Sequence, residues 1–262
     1  MPSLFDSNDF NDNLFFPRAD RSLTPPGARE LMIPVEGAQL HLRWHRAPSA
    51  ALTVLLFHGN GEIVSDYDTS AARFAALGAS LAVVDYRGYG RSTGTPSLRS
   101  CIRDAGPVIE SLLAQEGAAP VVVMGRSLGS ACAAELYQAP PEGVPGFVLE
   151  SGSADLHALI RRRGMEPPAS LSQTDLEVFD PLLKLARGTR PLLVLHGAED
   201  DLIAPREARR AFDAAGTRDK RLQLIPGRGH NDLSWSPGYW DAVGAFLAGL
   251  IQTPTQQRPT GA

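Results

Sequence analysis

The stretch Pro120-Val121-Val122-Val123-Met124-Gly125-Arg126-Ser127-Leu128-Gly129 decides the fold of this chain. Its first five residues form a continuous apolar run, which is typical of a strand buried on both faces of a sheet. The glycines two positions before and two positions after Ser127 permit a sharp turn with a strained serine backbone. Residues 130–137 start with small side chains, which favours a helix packed closely on the sheet. The pattern predicts a strand, a tight turn that exposes Ser127, and a helix.

A Gly-x-Ser-x-Gly motif is by itself weak evidence for a nucleophilic serine. Since Gly and Ser each make up about 7% of average sequence, roughly 0.1 chance matches are expected in a chain of this length. A nucleophilic serine also needs an acid and a histidine, in the order serine, acid, histidine, and amide donors for an oxyanion. The rest of the sequence therefore has to supply these partners.

The composition favours a globular protein and excludes several classes of function. The chain has 262 residues, 43% of them hydrophobic and 21% charged, which suits one large α/β domain or two small ones. Its net charge of −4 gives no electrostatic footprint for nucleic acid or for an anionic membrane. The basic run Arg161-Arg162-Arg163 is expected to be a solvated helix face, with a rim that attracts anionic substrates as the alternative.

The cysteine content and the N-terminal sequence bear on the cellular compartment. Only two cysteines occur, Cys101 and Cys132, which predicts a reducing compartment and no disulfide framework. Residues 1–30 carry four aspartates and lack the basic-then-apolar pattern of a signal peptide or membrane anchor. We therefore expect a cytoplasmic protein without a membrane anchor.

Strand and helix patterns alternate along the chain outside the Ser127 segment. Strands are predicted at 30–35, 39–45, 52–57, 80–86, 120–124, 146–150, 191–196 and 221–226. Helices are predicted at 66–77, 98–115, 130–137, 205–215 and 237–251. Two strands followed by strand–helix alternation predict an α/β fold with a mainly parallel, doubly wound sheet and an antiparallel start.

The predicted domain organisation has one core and three accessory segments. The core comprises residues 29–153 and 191–252, preceded by an N-terminal arm at 1–28 and followed by a disordered tail at 253–262. Residues 154–190 contain no strand pattern, and an insertion at this point would lie over the carboxyl ends of the strands, where ligands bind. We interpret it as a small helical lid, with a crossover helix and a long loop as the alternative.

The candidate acid follows the predicted strand at 191–196. Asp200 is the third residue after Gly197, on a tight turn from which its carboxylate can point toward Ser127. Glu199 and Asp201 are alternatives because they lie on the same turn. Glu150, at the end of the preceding strand, is a further alternative, although a capping carboxylate is its more ordinary role.

The candidate base is His230, in the glycine-rich loop between the last strand and the last helix. Such a loop can carry the ring inward over Ser127. The other histidines are expected to be structural or to lie elsewhere, in the early strands, at strand ends or in the lid. They are His41, His45, His58, His157 and His196.

The oxyanion donors are expected to be backbone amides at two places. One is Leu128, which follows the nucleophile, and the other is Asn60, in the loop after the strand at 52–57. A glycine turn needed only for backbone geometry is the alternative for that loop. The segment Asp85–Ser92 is expected to be scaffold, and Trp235 either lines an acyl pocket or packs in the core.

Four motifs together resemble those of a known family. They are His58-Gly59-Asn60-Gly61-Glu62, Asp85-Tyr86-Arg87-Gly88-Tyr89-Gly90-Arg91-Ser92, Gly125-Arg126-Ser127-Leu128-Gly129 and Gly229-His230-Asn231-Asp232. Over about residues 30–250 the chain is similar to the small α/β-hydrolases of the serine aminopeptidase and abhydrolase-domain type. The resemblance implies an α/β-hydrolase fold with a nucleophile elbow and a triad of Ser127, Asp200 and His230. Members of this group hydrolyse esters, thioesters and some amides.

The sequence therefore predicts a serine hydrolase that cleaves a carboxylic ester or thioester of a small acyl substrate, without metal or cofactor. Ser127 would attack the carbonyl, His230 would take its proton, and Asp200 would hold the imidazole tautomer. An acyltransferase would use the same residues but exclude water from the acyl-enzyme. A non-catalytic ligand-binding homologue would keep the fold without the chemistry. The acyl chain length and the oligomeric state are not predicted.

Overall fold

An eight-stranded sheet forms the centre of the protein in the computed structural model, which describes residues 3–252. The strands are β1 Ala28–Val35, β2 Ala38–His45, β3 Leu52–Phe57, β4 Ala79–Val84, β5 Val121–Arg126, β6 Phe147–Glu150, β7 Leu192–Gly197 and β8 Lys220–Ile225. In spatial order they are β1-β2-β4-β3-β5-β6-β7-β8. Among these strands only β2 runs antiparallel to its neighbours β1 and β4, and all other pairs are parallel. The predicted α/β fold with a mainly parallel sheet is confirmed.

Helices cover both faces of this sheet. They are α1 Asn8–Leu14, α2 Ala71–Ala76, α3 Leu98–Leu113, α4 Ser130–Gln138, α5 Leu156–Arg162, α6 Gln173–Phe179, α7 Pro181–Arg187, α8 Pro205–Ala214 and α9 Pro237–Gln252. The helix predicted at 66–77 is divided into a 3-10 segment, Val64–Ser70, and the short α2. The tail predicted at 253–262 lies outside the described residues. None of the helices within residues 3–252 combines the length and the apolar character needed to cross a bilayer.

The strand β5 shows why the continuous apolar run forms the centre of the sheet. Val121 and Val123 belong to the apolar core on the side of α3, α4 and α8. Val122 and Met124 belong to the core on the side of α2 and α9. Successive side chains of a strand point to opposite faces, so a strand covered on both faces has to be apolar at every position.

Residues 4–14 of the N-terminal segment pack against helices. Phe5 and Phe10 are fully buried, with perpendicular rings whose centroids lie 5.2 Å apart. The centroid of the Phe5 ring also lies 4.5 Å from the centroid of the Phe179 ring in α6. Asn11 accepts a hydrogen bond from the backbone N–H of Leu98 at 2.8 Å, and this bond satisfies a free donor at the start of α3. The segment therefore joins α3 to the helices between β6 and β7.

Residues 154–190 form α5, α6 and α7 without a strand. The Asp155 side chain begins α5 by accepting from the Ala158 amide at 2.9 Å. Arg162, at the other end of α5, pairs with Glu207 of α8 at 2.7 Å. This helical segment therefore lies against the core at the ends of the strands.

Candidate active site

Ser127 lies on the turn between β5 and α4 in the left-handed region, with a φ of 49°. A Cβ atom at Gly125 would lie 2.5 Å from the Gly129 carbonyl oxygen, and one at Gly129 would overlap the Phe57 carbonyl oxygen. No side chain fits at either glycine without moving the backbone. The turn therefore requires both glycines, as the strand–turn–helix interpretation of the sequence expects.

Ser127, His230 and Asp200 form a continuous hydrogen-bonded chain. His230 Nε2 lies 3.0 Å from Ser127 Oγ, and His230 Nδ1 lies 2.8 Å from Asp200 Oδ2. The loops after β7 and β8 can approach each other because Gly197 pairs with Ile225 at the ends of these two strands. An imidazole that donates from Nδ1 to a carboxylate leaves Nε2 free to accept a proton.

Asp200 is held by donors on both of its oxygens. Oδ1 accepts from the amides of Leu202 at 3.0 Å and Ile203 at 2.8 Å. His196 Nε2 lies 3.1 Å from Oδ2 and 2.7 Å from the Ile203 carbonyl oxygen, so this nitrogen carries a proton. Burial raises the pKa of Asp200, but the hydrogen bonds from His196, His230 and Ile203 outweigh it and hold the pKa well below its usual value. The carboxylate is therefore ionised at neutral pH.

The alternative acids do not contact His230. Glu199 and Asp201 are exposed on the turn that carries Asp200. Glu150 is buried and pairs instead with Arg126, with its Oε1 3.3 Å from Nε. It also accepts a hydrogen bond from the Tyr239 hydroxyl at 2.8 Å. Of the four carboxylates considered from the sequence, only Asp200 lies against the imidazole.

Asn60 and Leu128 border the same cleft as Ser127. Phe57 and Gly125 are register partners in β3 and β5, so the loop after β3 begins beside the turn. Within residues 3–252 neither the Asn60 nor the Leu128 backbone amide has a hydrogen-bond acceptor. The Asn60 side chain fixes its loop, because Oδ1 accepts from the Tyr89 hydroxyl at 2.6 Å. Two unpaired amides beside a serine hydroxyl can bind an oxyanion.

Sequence reasoning gave no role to Arg126 and Glu62, although both lie within the motifs. Arg126 donates to the carbonyl oxygen of His230 at 3.2 Å and to Asn231 Oδ1 at 2.8 Å. It also forms an ion pair with Glu62, whose Oε2 accepts from the Gly59 amide at 2.6 Å. The two side chains thus join the loop of His230 to the loop of Asn60. The sequence signal for a role was the position of both residues inside glycine-rich motifs. It could not reveal that they pair with each other, because they are 64 residues apart in the chain.

A cleft that opens to solvent lies beside Ser127, and apolar side chains form much of its wall. Its apolar wall comes from α1, α3, α5, α6 and the loop of Asp200. Among its residues are Leu14, Leu98, Leu156, Leu159, Phe179 and Ile203. The expectation for Trp235 is wrong: its side chain is 74% exposed and does not border the cleft. The N-terminal segment instead supplies an apolar side chain, Leu14, which the sequence gave no reason to expect.

The chain matches the serine aminopeptidase family S33 over residues 48–184 and 182–234, a span that includes Ser127, Asp200 and His230. It belongs to this family of the α/β-hydrolase superfamily. The resemblance drawn from the four motifs is therefore confirmed.

Proteins of fungi and animals are similar in sequence to this chain. The protein bem46 of Schizosaccharomyces pombe is 27% identical over 215 residues, which cover 79% of this chain and 71% of the relative. Lysophosphatidylserine lipase ABHD12 of Macaca fascicularis is 31% identical over 219 residues, which cover 73% of this chain and 52% of the relative. The esterase Pf2001 of Pyrococcus furiosus has a similar structure, with a TM-score of 0.74 at 17% identity over 90% of this chain and 99% of its own. At that identity the likeness concerns the fold alone.

Proposed function

We propose that the protein is a serine hydrolase that cleaves a carboxylic ester or thioester through an acyl-enzyme on Ser127. The observation that carries the proposal is the chain from Ser127 Oγ through both nitrogens of His230 to Asp200, with distances of 3.0 and 2.8 Å, beside an open cleft. A serine hydroxyl is a weak nucleophile at neutral pH and needs such a base. Membership of the serine aminopeptidase family supports the same chemistry.

The first half of the reaction forms the acyl-enzyme. Ser127 Oγ attacks the substrate carbonyl carbon while His230 Nε2 takes the hydroxyl proton. The ionised carboxylate of Asp200 stabilises the imidazolium that results. The carbonyl oxygen becomes an oxyanion that accepts hydrogen bonds from the backbone amides of Asn60 and Leu128. The C–O or C–S bond then breaks, and His230 donates its proton to the leaving alcohol or thiol.

The second half regenerates the enzyme. His230 takes a proton from a water molecule, whose oxygen attacks the acyl carbon, and a second oxyanion forms against the same amides. When the bond to Ser127 Oγ breaks, His230 returns the proton to that oxygen, and the free acid leaves. No cofactor takes part in this sequence of steps.

We further propose that residues 154–190 act as a lid over the cleft. Helices α5 and α6 contribute Leu156, Leu159 and Phe179 to the apolar wall. The acyl chain of the substrate would lie against these side chains, so this segment would set the accepted chain length.

Labelling with a fluorophosphonate, followed by peptide mapping, tests the activated serine. We expect a phosphonyl adduct on Ser127 and hydrolysis of 4-nitrophenyl butyrate, both lost in Ser127→Ala. Ser153→Ala is the matched control, because this hydroxyl also borders the cleft but bonds to Glu207 at 2.8 Å. An adduct at another residue, or turnover by Ser127→Ala, would contradict the proposal. Transfer to an added alcohol at the expense of hydrolysis would identify an acyltransferase.

A further inference from the structure

Arg163 is a cleft residue to which the proposed chemistry assigns no task. It follows directly on α5, in the basic run that the sequence marked either as a solvated helix face or as a rim for anionic substrates. Its side chain borders the same cleft as Ser127 and Asn60. The solvated-face interpretation fails for this residue, because its Nε atom is buried.

The other two charged side chains of the cleft have ionic partners, whereas Arg163 has none. Arg162 pairs with Glu207 at 2.7 Å, and Asp155 pairs with Arg210 at 2.7 Å. Throughout residues 3–252 no carboxylate lies within 4.0 Å of the Arg163 guanidinium, and its buried Nε has no hydrogen-bond acceptor. Its aromatic neighbour is Phe16, whose ring centroid lies 5.9 Å from Cζ.

An unpaired, partly buried guanidinium is an unfavourable arrangement without a ligand. Burial and the neighbouring charge of Arg162 lower the pKa of Arg163. Arginine nevertheless remains protonated, so its buried Nε–H has no acceptor. Carboxylate and phosphate oxygens match the planar guanidinium and form its strongest hydrogen bonds. An anion in the cleft would supply both the missing charge and the missing acceptors.

Contacts through Phe16 relate Arg163 to the proposed oxyanion site. The Phe16 amide donates to Asn60 Oδ1 at 3.0 Å, and the Phe16 ring faces the Arg163 guanidinium. Asn60 and Arg163 therefore lie at the same end of the cleft. A group bound to Arg163 would be close to a carbonyl attacked by Ser127.

We propose that Arg163 binds an anionic group of the substrate, a carboxylate or a phosphate, carried near the scissile ester. This inference deepens the proposed function and rests on it for the ester bond, but the anion site itself is independent of turnover. Arg163 thereby becomes a determinant of specificity that favours acidic esters over neutral ones.

Three matched esters test the preference. They are the butyryl esters of glycerol, glycerol 3-phosphate and glyceric acid, which share the acyl group and a three-carbon alcohol. We expect the parent protein to favour at least one acidic ester over the neutral one in kcat/KM. Arg163→Gln should reduce the ratio of acidic to neutral kcat/KM about 10- to 100-fold, since hydrogen bonds to charged groups are worth that much. The acidic ester whose kcat/KM falls further in Arg163→Gln shows whether Arg163 prefers a phosphate or a carboxylate.

Arg161→Gln is the control for this experiment. Arg161 is exposed, belongs to the same basic run and does not border the cleft, so its loss should change the ratio less than two-fold. A ratio that is the same in Arg163→Gln as in the parent protein would overturn the inference. An equal fall in Arg161→Gln would also overturn it, because the effect would then be one of overall charge.

A binding measurement separates this inference from the proposed function. Calorimetry compares monobutyl phosphate and butyrate with butanol, in Ser127→Ala and in Ser127→Ala/Arg163→Gln. We expect at least one of the anions to bind Ser127→Ala more tightly than butanol, with a dissociation constant at least ten-fold higher in the double variant. Equal constants, or no measurable binding of either anion to Ser127→Ala, would overturn the anion site. Binding without any ester hydrolysis would instead contradict the proposed function and leave the anion site standing.

Discussion

Two buried aspartates of this protein, Asp85 and Asp200, have similar surroundings, but the imidazoles beside them face different groups. Each follows a parallel strand, β4 or β7, and each lies against two imidazoles. Asp85 lies 2.9 Å from His41 Nδ1 and 3.5 Å from His58 Nε2. The corresponding distances at Asp200 are 2.8 Å to His230 Nδ1 and 3.1 Å to His196 Nε2. Backbone amides donate to both carboxylates.

The difference lies on the far side of the imidazole. His41 Nε2 faces the carboxylate of Glu30 at 3.0 Å, and the His41 side chain is buried. His230 Nε2 faces the hydroxyl of Ser127, which borders an open cleft. A His–Asp pair by itself therefore only fixes the orientation and the tautomer of an imidazole. Whether it supports stability or chemistry depends on the third group and on access for a substrate.

The largest effect is expected from removing the charge of Asp200. Asp200→Asn should lower kcat for 4-nitrophenyl butyrate about 10⁴-fold, since an amide can stabilise the wrong tautomer of His230 and cannot stabilise the imidazolium. Asp85→Asn should leave kcat within a few-fold of the parent value. Asp201→Asn controls for the turn, because its side chain is exposed. Nearly full activity in Asp200→Asn would mean that the proposed mechanism is wrong.

The fold was largely predictable because its strongest signals are local. The apolar run of β5 indicates a strand covered on both faces, and Gly125 and Gly129 are required by contacts within one turn. The prediction of His230 used chain order and a glycine-rich loop. Asp85 could be set aside as the acid because it precedes Ser127, whereas the family order is serine, acid, histidine.

Other features depend on contacts between distant parts of the chain, which no local pattern reveals. Asp200 and Asp201 are adjacent in sequence, and only the direction of the turn decides which is buried. Leu14 reaches the cleft through the packing of an N-terminal segment that looks like a polar arm. Arg161, Arg162 and Arg163 are identical residues, yet the first is exposed, the second is paired and the third is unpaired.

A smaller effect is expected from Arg126, which joins the loop of His230, the proposed base, to the loop that carries Glu62. Arg126→Gln should lower kcat about 10²-fold with a smaller change in KM, because the loops of His230 and Gly59 would lose their common anchor. Arg91→Gln is the counterpart near Asp85. Arg91 donates to Glu30 at 2.5 Å, so its loss should reduce the melting temperature but not kcat. Equal loss of kcat in both variants would show general destabilisation rather than positioning.

The interaction of Asp85 with His41 and His58 should make the stability of the folded protein depend on pH in the acid range. Burial raises the pKa of Asp85, but the interactions with His41 and His58 and the Val64 amide outweigh it and lower the pKa from 3.8 to about 2. A lowered pKa stabilises the folded state above pH 3.8, and this contribution is lost as the pH falls through about 2. It corresponds to about 2 kcal/mol in the free energy of unfolding.

Urea unfolding of the parent protein and Asp85→Asn measures this contribution. At pH 7 the variant should be less stable by about 2 kcal/mol, which lowers the melting temperature by roughly 5 °C. The difference should shrink between pH 4 and pH 2, where the parent carboxylate takes up its proton. A difference that is constant over this range would mean that the charge of Asp85 contributes nothing to stability.

The smallest effect is expected from Trp235, which shares a loop with His230 but is 74% exposed. Trp235→Ala should change the free energy of unfolding by less than about 0.5 kcal/mol and kcat/KM by less than two-fold. Leu233 is the matched control in the same 3-10 turn, with 1% of its surface exposed, and Leu233→Ala should cost about 3 kcal/mol. If Trp235→Ala instead impaired kcat, the position of His230 would depend on the outer surface of its loop. The contacts of the His230 ring with Asp200 and of the His230 carbonyl oxygen with Arg126 would then be insufficient to hold the proposed base in place.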